Sequence, residues 1–165
     1  MGIFTVIKKT DNGGEGMEER TFPRGTLRIC LDEYKDGTIS GRIYTKFRKE
    51  PSEFANLGEI LMKGEEIFDM AGYPMAFQQR RTFSNKLEEK RRKGRPDTCV
   101  LSDRELGEQK GRLKTLDVVV NSRRHSSWQG VLLGSDGNLI GNFVSELELL
   151  KMLVRIFIEL DTYLC

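Results

Sequence analysis

Catalysis needs side chains that can hold a proton, a metal or a bond in transit, and this chain supplies few of them. It has one histidine, His125, and three cysteines, Cys30, Cys99 and Cys165, none of them in a C-x-x-C pair. His125 lies in S-R-R-H-S-S-W-Q-G. A nucleophile there would need a base oriented by a third group, and sequence neighbours such as Ser126 and Ser127 do not supply that geometry. The adjacent acids Glu65-Glu66 and Glu88-Glu89 point in different directions along a helix, so they form no metal-ligand set. No carboxylate pair is singled out for acid–base work. The expectation is a protein that binds rather than catalyses, with no catalytic residue, no cofactor and no metal. Cysteines this scattered, and odd in number, read as ordinary reduced thiols.

Positive charge is abundant, and it is concentrated. Between Arg80 and Arg95 eight cations stand against Glu88 and Glu89, a net of +6 in a chain whose formal charge is only +2. The rest of the chain is therefore acidic. A short run with that field can neutralise several phosphates and bind a polyanion in a salt-sensitive way. Arg80, Arg81, Arg91, Arg92, Lys93 and Arg95 are the expected phosphate contacts, with Arg123 and Arg124 on a predicted loop as lesser ones. Arg42, Tyr44 and Lys46 would line the outer face of a sheet, where rings among cations suit stacking on unpaired bases. Trp128 reads as core rather than as a stacking platform. The expected partner is nucleic acid, DNA or RNA. The rival reading is a protein-interaction module, or a small inhibitor or regulator of the kind carried by a phage or mobile element.

Within that run, K-R-R-K-G-R-P at residues 90–96 resembles the AT-hook, a minor-groove peptide built on Arg-Gly-Arg-Pro. Gly94, Arg95 and Pro96 match, and Lys93 stands where the hook has its first arginine. The resemblance implies flat cations in a narrow groove with glycine on its floor, though an ammonium is a rounder and more hydrated charge than a guanidinium.

The elements that must carry these residues repeat. Sliding residues 115–160 back by 89 positions lays them without a gap on 26–71, and Thr26/Thr115, Leu27/Leu116, Gly41/Gly130 and Phe54/Phe143 are then identical. So are Glu59/Glu148, Leu61/Leu150, Ile67/Ile156 and Phe68/Phe157. In the first copy Leu27, Ile29 and Leu31 alternate with polar or small residues as in a half-buried strand. Asp36-Gly37 then signals a hairpin, and the return strand carries Ile39, Gly41 and Ile43 on one face. Pro51 predicts a short third strand around Phe54. An amphipathic helix follows from about Leu57 to Ala71, capped by Asn56 with Glu59 and ended by Gly72 and Pro74. The second copy repeats the plan with Leu116, Val118 and Val120, then Trp128, Gly130 and Leu132, a turn at Asp136-Gly137, and a third strand over Leu139 to Val144. That strand should be better formed than its proline-bearing counterpart. Ser145 and Glu148 cap the last helix, which runs towards Leu160.

The pattern predicts an α+β fold of two βββα repeats related by pseudo-two-fold symmetry: residues 1–74 with a leading strand at Gly2 to Ile7, a basic connector at 75–114, and residues 115–165. A sheet of three strands with one helix cannot cover both its faces, so the units should pack through their helices or join strand edges. In the connector, Met75, Ala76, Phe77 and Phe83 would extend the core, and Ser102 with Glu105 would cap a short helix anchored by Leu106. W-Q-G followed by F-V-S-E-L-E-L-L, across Trp128 to Leu150, resembles a pattern in short bacterial proteins of unassigned function; it implies a small bacterial domain and nominates no site. With no long apolar run or signal-peptide pattern, the expected setting is the cytoplasm, as a monomer or homodimer with no membrane partner.

Overall fold

Alternation and turn chemistry over residues 26–54 do build a meander. The computed structural model describes residues 19–74 and 99–164; the expected leading strand, Met75, Ala76, Phe77, Phe83 and the basic run of residues 80–95 lie outside the described residues. Strand β1 (Thr26–Lys35) turns through Asp36 and Gly37, both at positive φ, into β2 (Thr38–Thr45), and β3 (Arg48–Phe54) follows. Helix α1 spans Leu57–Ala71 and the short helix α2 Asp103–Glu108. Then come β4 (Lys114–Arg124), β5 (Ser127–Gly134), β6 (Leu139–Phe143) and the helix α3 (Glu146–Leu164). The protein is α+β: the six described strands form one antiparallel sheet in the order β3-β2-β1-β4-β5-β6, accompanied by the three described helices.

The two meanders join by strand edges. β1 pairs antiparallel with β4 from Thr26↔Val119 to Leu31↔Lys114, so the strand that opens each meander lies at the centre of the sheet. Helices α1 and α3 cover one face. Leu27, Ile29, Leu31 and Ile43 from the first meander and Leu116, Val118, Leu132 and Phe143 from the second meet Ile60, Ile67, Phe68, Leu149 and Leu153 from the helices in a single buried cluster. Burying each such side chain stabilises by roughly 1.5–3 kcal/mol relative to leaving it in water.

The opposite face has its own cover, supplied by the expected connector. Leu106 of α2 packs with Phe22, Cys30 and Tyr44, while Val100 and Leu101 donate backbone N–H bonds to the Lys46 carbonyl and Leu113 donates to that of Leu31. Residues 99–113 are thus part of the fold rather than a tether. The predicted cap is present: Ser102 Oγ accepts from Glu105 N and the Glu105 carboxylate accepts from Ser102 N.

Strand registers recur along the chain. Every β1–β2 pair, from Leu27↔Thr45 to Lys35↔Thr38, has a counterpart in β4–β5, from Leu116↔Gly134 to Arg124↔Ser127. Each hairpin also has a bulge at the same place, between Leu31 and Glu33 and between Val120 and Ser122. Opposite these bulges sit Gly41 and Gly130, where a Cβ would lie 2.0 Å from the Cys30 carbonyl oxygen and 1.9 Å from that of Val119. No side chain fits at either position.

Pro51 does not shorten its strand. β3 has seven residues and β6, which lacks proline, has five, the reverse of the expectation. β3 is the outermost strand, so the donor that proline lacks is not needed by a further neighbour. The ladder is also irregular there, between Ile43↔Ser52 and Thr45↔Arg48.

Both long helices start as expected, with the box closed one residue further out. Asn56 Oδ1 accepts from Glu59 N while the Glu59 carboxylate accepts from Ala55 N. Ser145 Oγ accepts from Glu148 N while Glu148 accepts from Val144 N. Gly72 at φ 64° ends α1, its N–H bonded to the Phe68 carbonyl.

Candidate functional site

Arg123 belongs to β4 and not to a loop, because the bulge at Asn121 shifts the alternation by one residue and turns its side chain towards α1. It is 4% exposed. Its Nη1 lies 3.0 Å from Glu65 and 2.8 Å from Asp69, its Nε donates to the Pro74 carbonyl at 2.7 Å, and its guanidinium carbon sits 5.7 Å from the Phe68 ring centre. A cation held this way ties β4 to α1. Directly across the ladder, Trp128 is 1% exposed and its indole N–H donates to Glu65 at 2.6 Å. Its ring meets Phe68 edge-on at 5.3 Å, over Gly64, where a Cβ would come 2.4 Å from the indole. Trp128 is core, as read.

Arg124 is exposed at the hairpin tip, beside His125 and Ser126, which both take left-handed backbone conformations. Gln129 braces this tip, accepting from Arg124 N and donating to the Arg124 carbonyl. Of the eight expected nucleic-acid contacts, Arg124 is the one whose described position is open to solvent; Arg80, Arg81, Arg91, Arg92, Lys93 and Arg95 lie outside the described residues.

The sheet face expected to stack bases is occupied by the protein itself. Arg42 grips Asp32 with two bonds, at 2.7 and 2.9 Å, and donates to the Tyr44 hydroxyl at 2.8 Å. Lys46 pairs with Asp103 at 2.6 Å. Further in, Arg28 pairs with the fully buried Asp117 at 3.1 Å and donates to the Gln109 carbonyl, and Arg20 joins Asp117 at 2.9 Å. Phe22 lies under both arginines, its ring centre 4.7 Å from the Arg20 guanidinium and 5.3 Å from that of Arg28. Burial pushes the Asp117 carboxyl above its ordinary range, and the two arginines pull it back.

A cleft of about 560 Å³ opens at the β3 end of the sheet between Asp32, Arg42, Glu53, Glu59, Lys63 and Arg112. Four of its charges are paired: Asp32, which also receives the Arg112 backbone N–H, with Arg42, and Lys63, which also donates to the Glu53 carbonyl, with Glu59. The Arg42 guanidinium holds the Asp32 carboxyl below its ordinary value, and the Ala55 N–H does the same for Glu59. Both carboxylates are thereby held in their ionised form. Burial raises the Cys30 thiol to about 11, which keeps it protonated and unreactive under the Tyr44 and Leu106 cover. Among the described residues no three His, Cys, Asp or Glu side chains converge as a metal site, and no described helix is long and apolar enough to cross a membrane.

Comparison of the chain with protein-family models, with curated proteins and with solved structures gives no match.

Proposed function

We propose that the protein is a binding protein that contacts nucleic acid through the basic run of residues 80–95, with Arg124 as an outlying contact. The observation that carries this is the charge ledger: a net of +6 lies in that run while the formal charge of the whole chain is +2. Pairing within the fold sharpens the asymmetry, since Arg28, Arg42, Lys46 and Arg123 are each bonded to acids of their own chain. The described residues that flank the run support it too. Pro74 is held by Arg123, Tyr73 packs on Phe47 with ring centres 6.3 Å apart, and Val100 bonds to Lys46, the residue before Phe47. Pro74 and Val100, the described positions on either side of the undescribed stretch, are thereby held at one end of the sheet. The AT-hook-like Lys93-Gly94-Arg95-Pro96 gives the run its expected minor-groove element. Reversing Arg91, Arg92, Lys93 and Arg95 to glutamate should abolish retention on short DNA and RNA duplexes and strands and flatten the dependence of affinity on salt, since each phosphate contact contributes about 0.9 to that slope on B-DNA. An unchanged slope in the reversed protein would overturn the proposal.

We also infer that the fold is a duplicated βββα unit with a pseudo-two-fold axis through the centre of the sheet. Recurrence of the hairpin registers and bulges supports this, as do Gly41 and Gly130 facing Phe54 and Phe143 in like fashion. Arg28 and Asp117 are 89 positions apart, the repeat offset, and they pair with each other in the β1–β4 ladder. An axis passing between them maps each onto the other. One unit supplies the cation and its copy the anion, an arrangement two identical chains could not make. An experimental structure in which residues 26–68 failed to superpose on 115–157 would sink this reading.

A further inference from the structure

The two outermost strands of the sheet are finished in opposite ways. β3 reads R-K-E-P-S-E-F, with exposed Lys49, Glu50 and Glu53 and a proline, the devices by which proteins keep an edge from pairing with a stranger. β6 reads L-I-G-N-F and has none of them. Among the described residues no strand lies beyond it. Leu139 is 60% exposed and Ile140 45%. An uncharged edge with exposed aliphatic side chains is a template for one more strand.

The described chain begins next to that edge. Arg20 donates to the carbonyls of Gly134 and Ser135, at 3.5 and 2.8 Å. Its side chain also lies against Gly137, where a Cβ would come 3.2 Å from Nε. These three residues are the end of β5 and the turn into Leu139, so the backbone N-terminal to Arg20 starts beside the first residue of β6. Residues 8–19 separate Arg20 from G-I-F-T-V-I at residues 2–7, a stretch that lies outside the described residues. It carries no ionisable side chain, and Ile3, Phe4, Thr5, Val6 and Ile7 are the β-branched and aromatic types that fill strands. The intervening residues reach up to about 40 Å, and a strand the length of β6 spans about 17 Å. The stretch can therefore lie along β6 with its Ile7 end by Leu139, antiparallel to it. β3 stands five strand spacings away, about 24 Å, and its charges and proline disfavour a further partner. A second copy must be drawn from solution, whereas a segment tethered this closely is present at an effective concentration of about a millimolar. We propose that residues 2–7 pair with β6 of their own chain as the outermost strand of the sheet, and so close its open edge.

Amide hydrogen exchange on the full chain tests it, read at the β6 amides that do not bond to β5. In the wild type these should exchange about tenfold or more slowly than in a Phe4→Glu/Val6→Glu variant, while the amides of the β1–β4 ladder stay equally protected in both. Thr5→Pro, which removes one donor and leaves the charge unchanged, should free the same amides. Backbone nuclear Overhauser contacts should link residues 3–7 to residues 139–143 in the unsubstituted chain, and the protection should not change on dilution, because pairing within one chain is independent of concentration. Outer β6 amides that exchange freely in the wild type would overturn the proposal, as would absence of those contacts or protection that survives both variants. Protection that fades on dilution would assign the edge to a second copy instead and equally overturn it.

Discussion

At the scale of single residues, the chain spends its cations internally with economy. Arg123 ties β4 to α1 through two carboxylates, and Arg42 pins the bulged residue Asp32, whose side chain also receives the Arg112 N–H. The second of these makes a pH prediction. Asp32 has a folded-state pKa below its ordinary 3.8, chiefly because of the Arg42 hydrogen bonds. Its contribution to stability is then complete above the unfolded value and is lost as pH falls through the folded one. Asp32→Asn should lower the melting temperature near neutral pH, and the gap between variant and wild type should shrink as the pH falls below the ordinary carboxylate range. A gap of constant size across that range would mean that the ion pair contributes nothing. Arg123 also shows why part of the site was illegible in the sequence. The sequence reading puts Arg123 on a loop; the strand instead runs on to Arg124, and the unpaired Asn121 shifts its alternation so that Arg123 faces α1. The same event at Asp32 turns Tyr34 towards the core cluster. Gly41 and Gly130, which hold the same place in the two meanders, were the available signal: a glycine inside a strand marks a bulge or a close backbone approach.

At the scale of elements, local chemistry was readable wherever a single motif decides the outcome. The Asp36-Gly37 turn, the span of α1 and the caps at Asn56, Ser102 and Ser145 all form as the residue types require. What depended on tertiary placement was harder to read. β3 outlasts its proline because it lies at the sheet edge, and the 99–113 segment docks because the face behind Cys30 and Tyr44 needed cover. The caps of α1 and α3 use the same geometry, a side-chain oxygen on the third amide and a glutamate reaching back one residue beyond the cap. Asn56→Ala and Ser145→Ala should therefore cost similar amounts, about 1 kcal/mol each. In a chain of this length that lowers the melting temperature by roughly 2–4 °C. Costs differing severalfold in parallel calorimetric scans would show that the two helix starts are not equivalent in energy, whatever their geometry.

At the scale of the whole molecule, the two meanders are held together by much more than the chain that links them. The seam contains the β1–β4 ladder, the buried Arg28–Asp117 pair and, across it, Arg123 and Trp128 of one half bonded to Glu65 and Asp69 of the other. The Lys46 and Leu31 carbonyls add bonds from Val100, Leu101 and Leu113. Covalent continuity through residues 75–98 then serves mainly to keep the halves at high effective concentration. A protease site inserted between Lys93 and Gly94 makes this measurable. After cleavage the two fragments should still elute together at micromolar concentration. Their melt should stay a single transition whose midpoint now falls on dilution, as a heterodimer's must and a single chain's cannot. Fragments that separate on gel filtration would show that the seam needs its tether. Retention of the cleaved heterodimer on nucleic acid separates two further cases. If the basic run binds as a chain of independent phosphate contacts, the cut should weaken affinity while leaving the salt slope nearly intact, because the cations remain; if its two ends must be joined for it to grip, slope and affinity fall together.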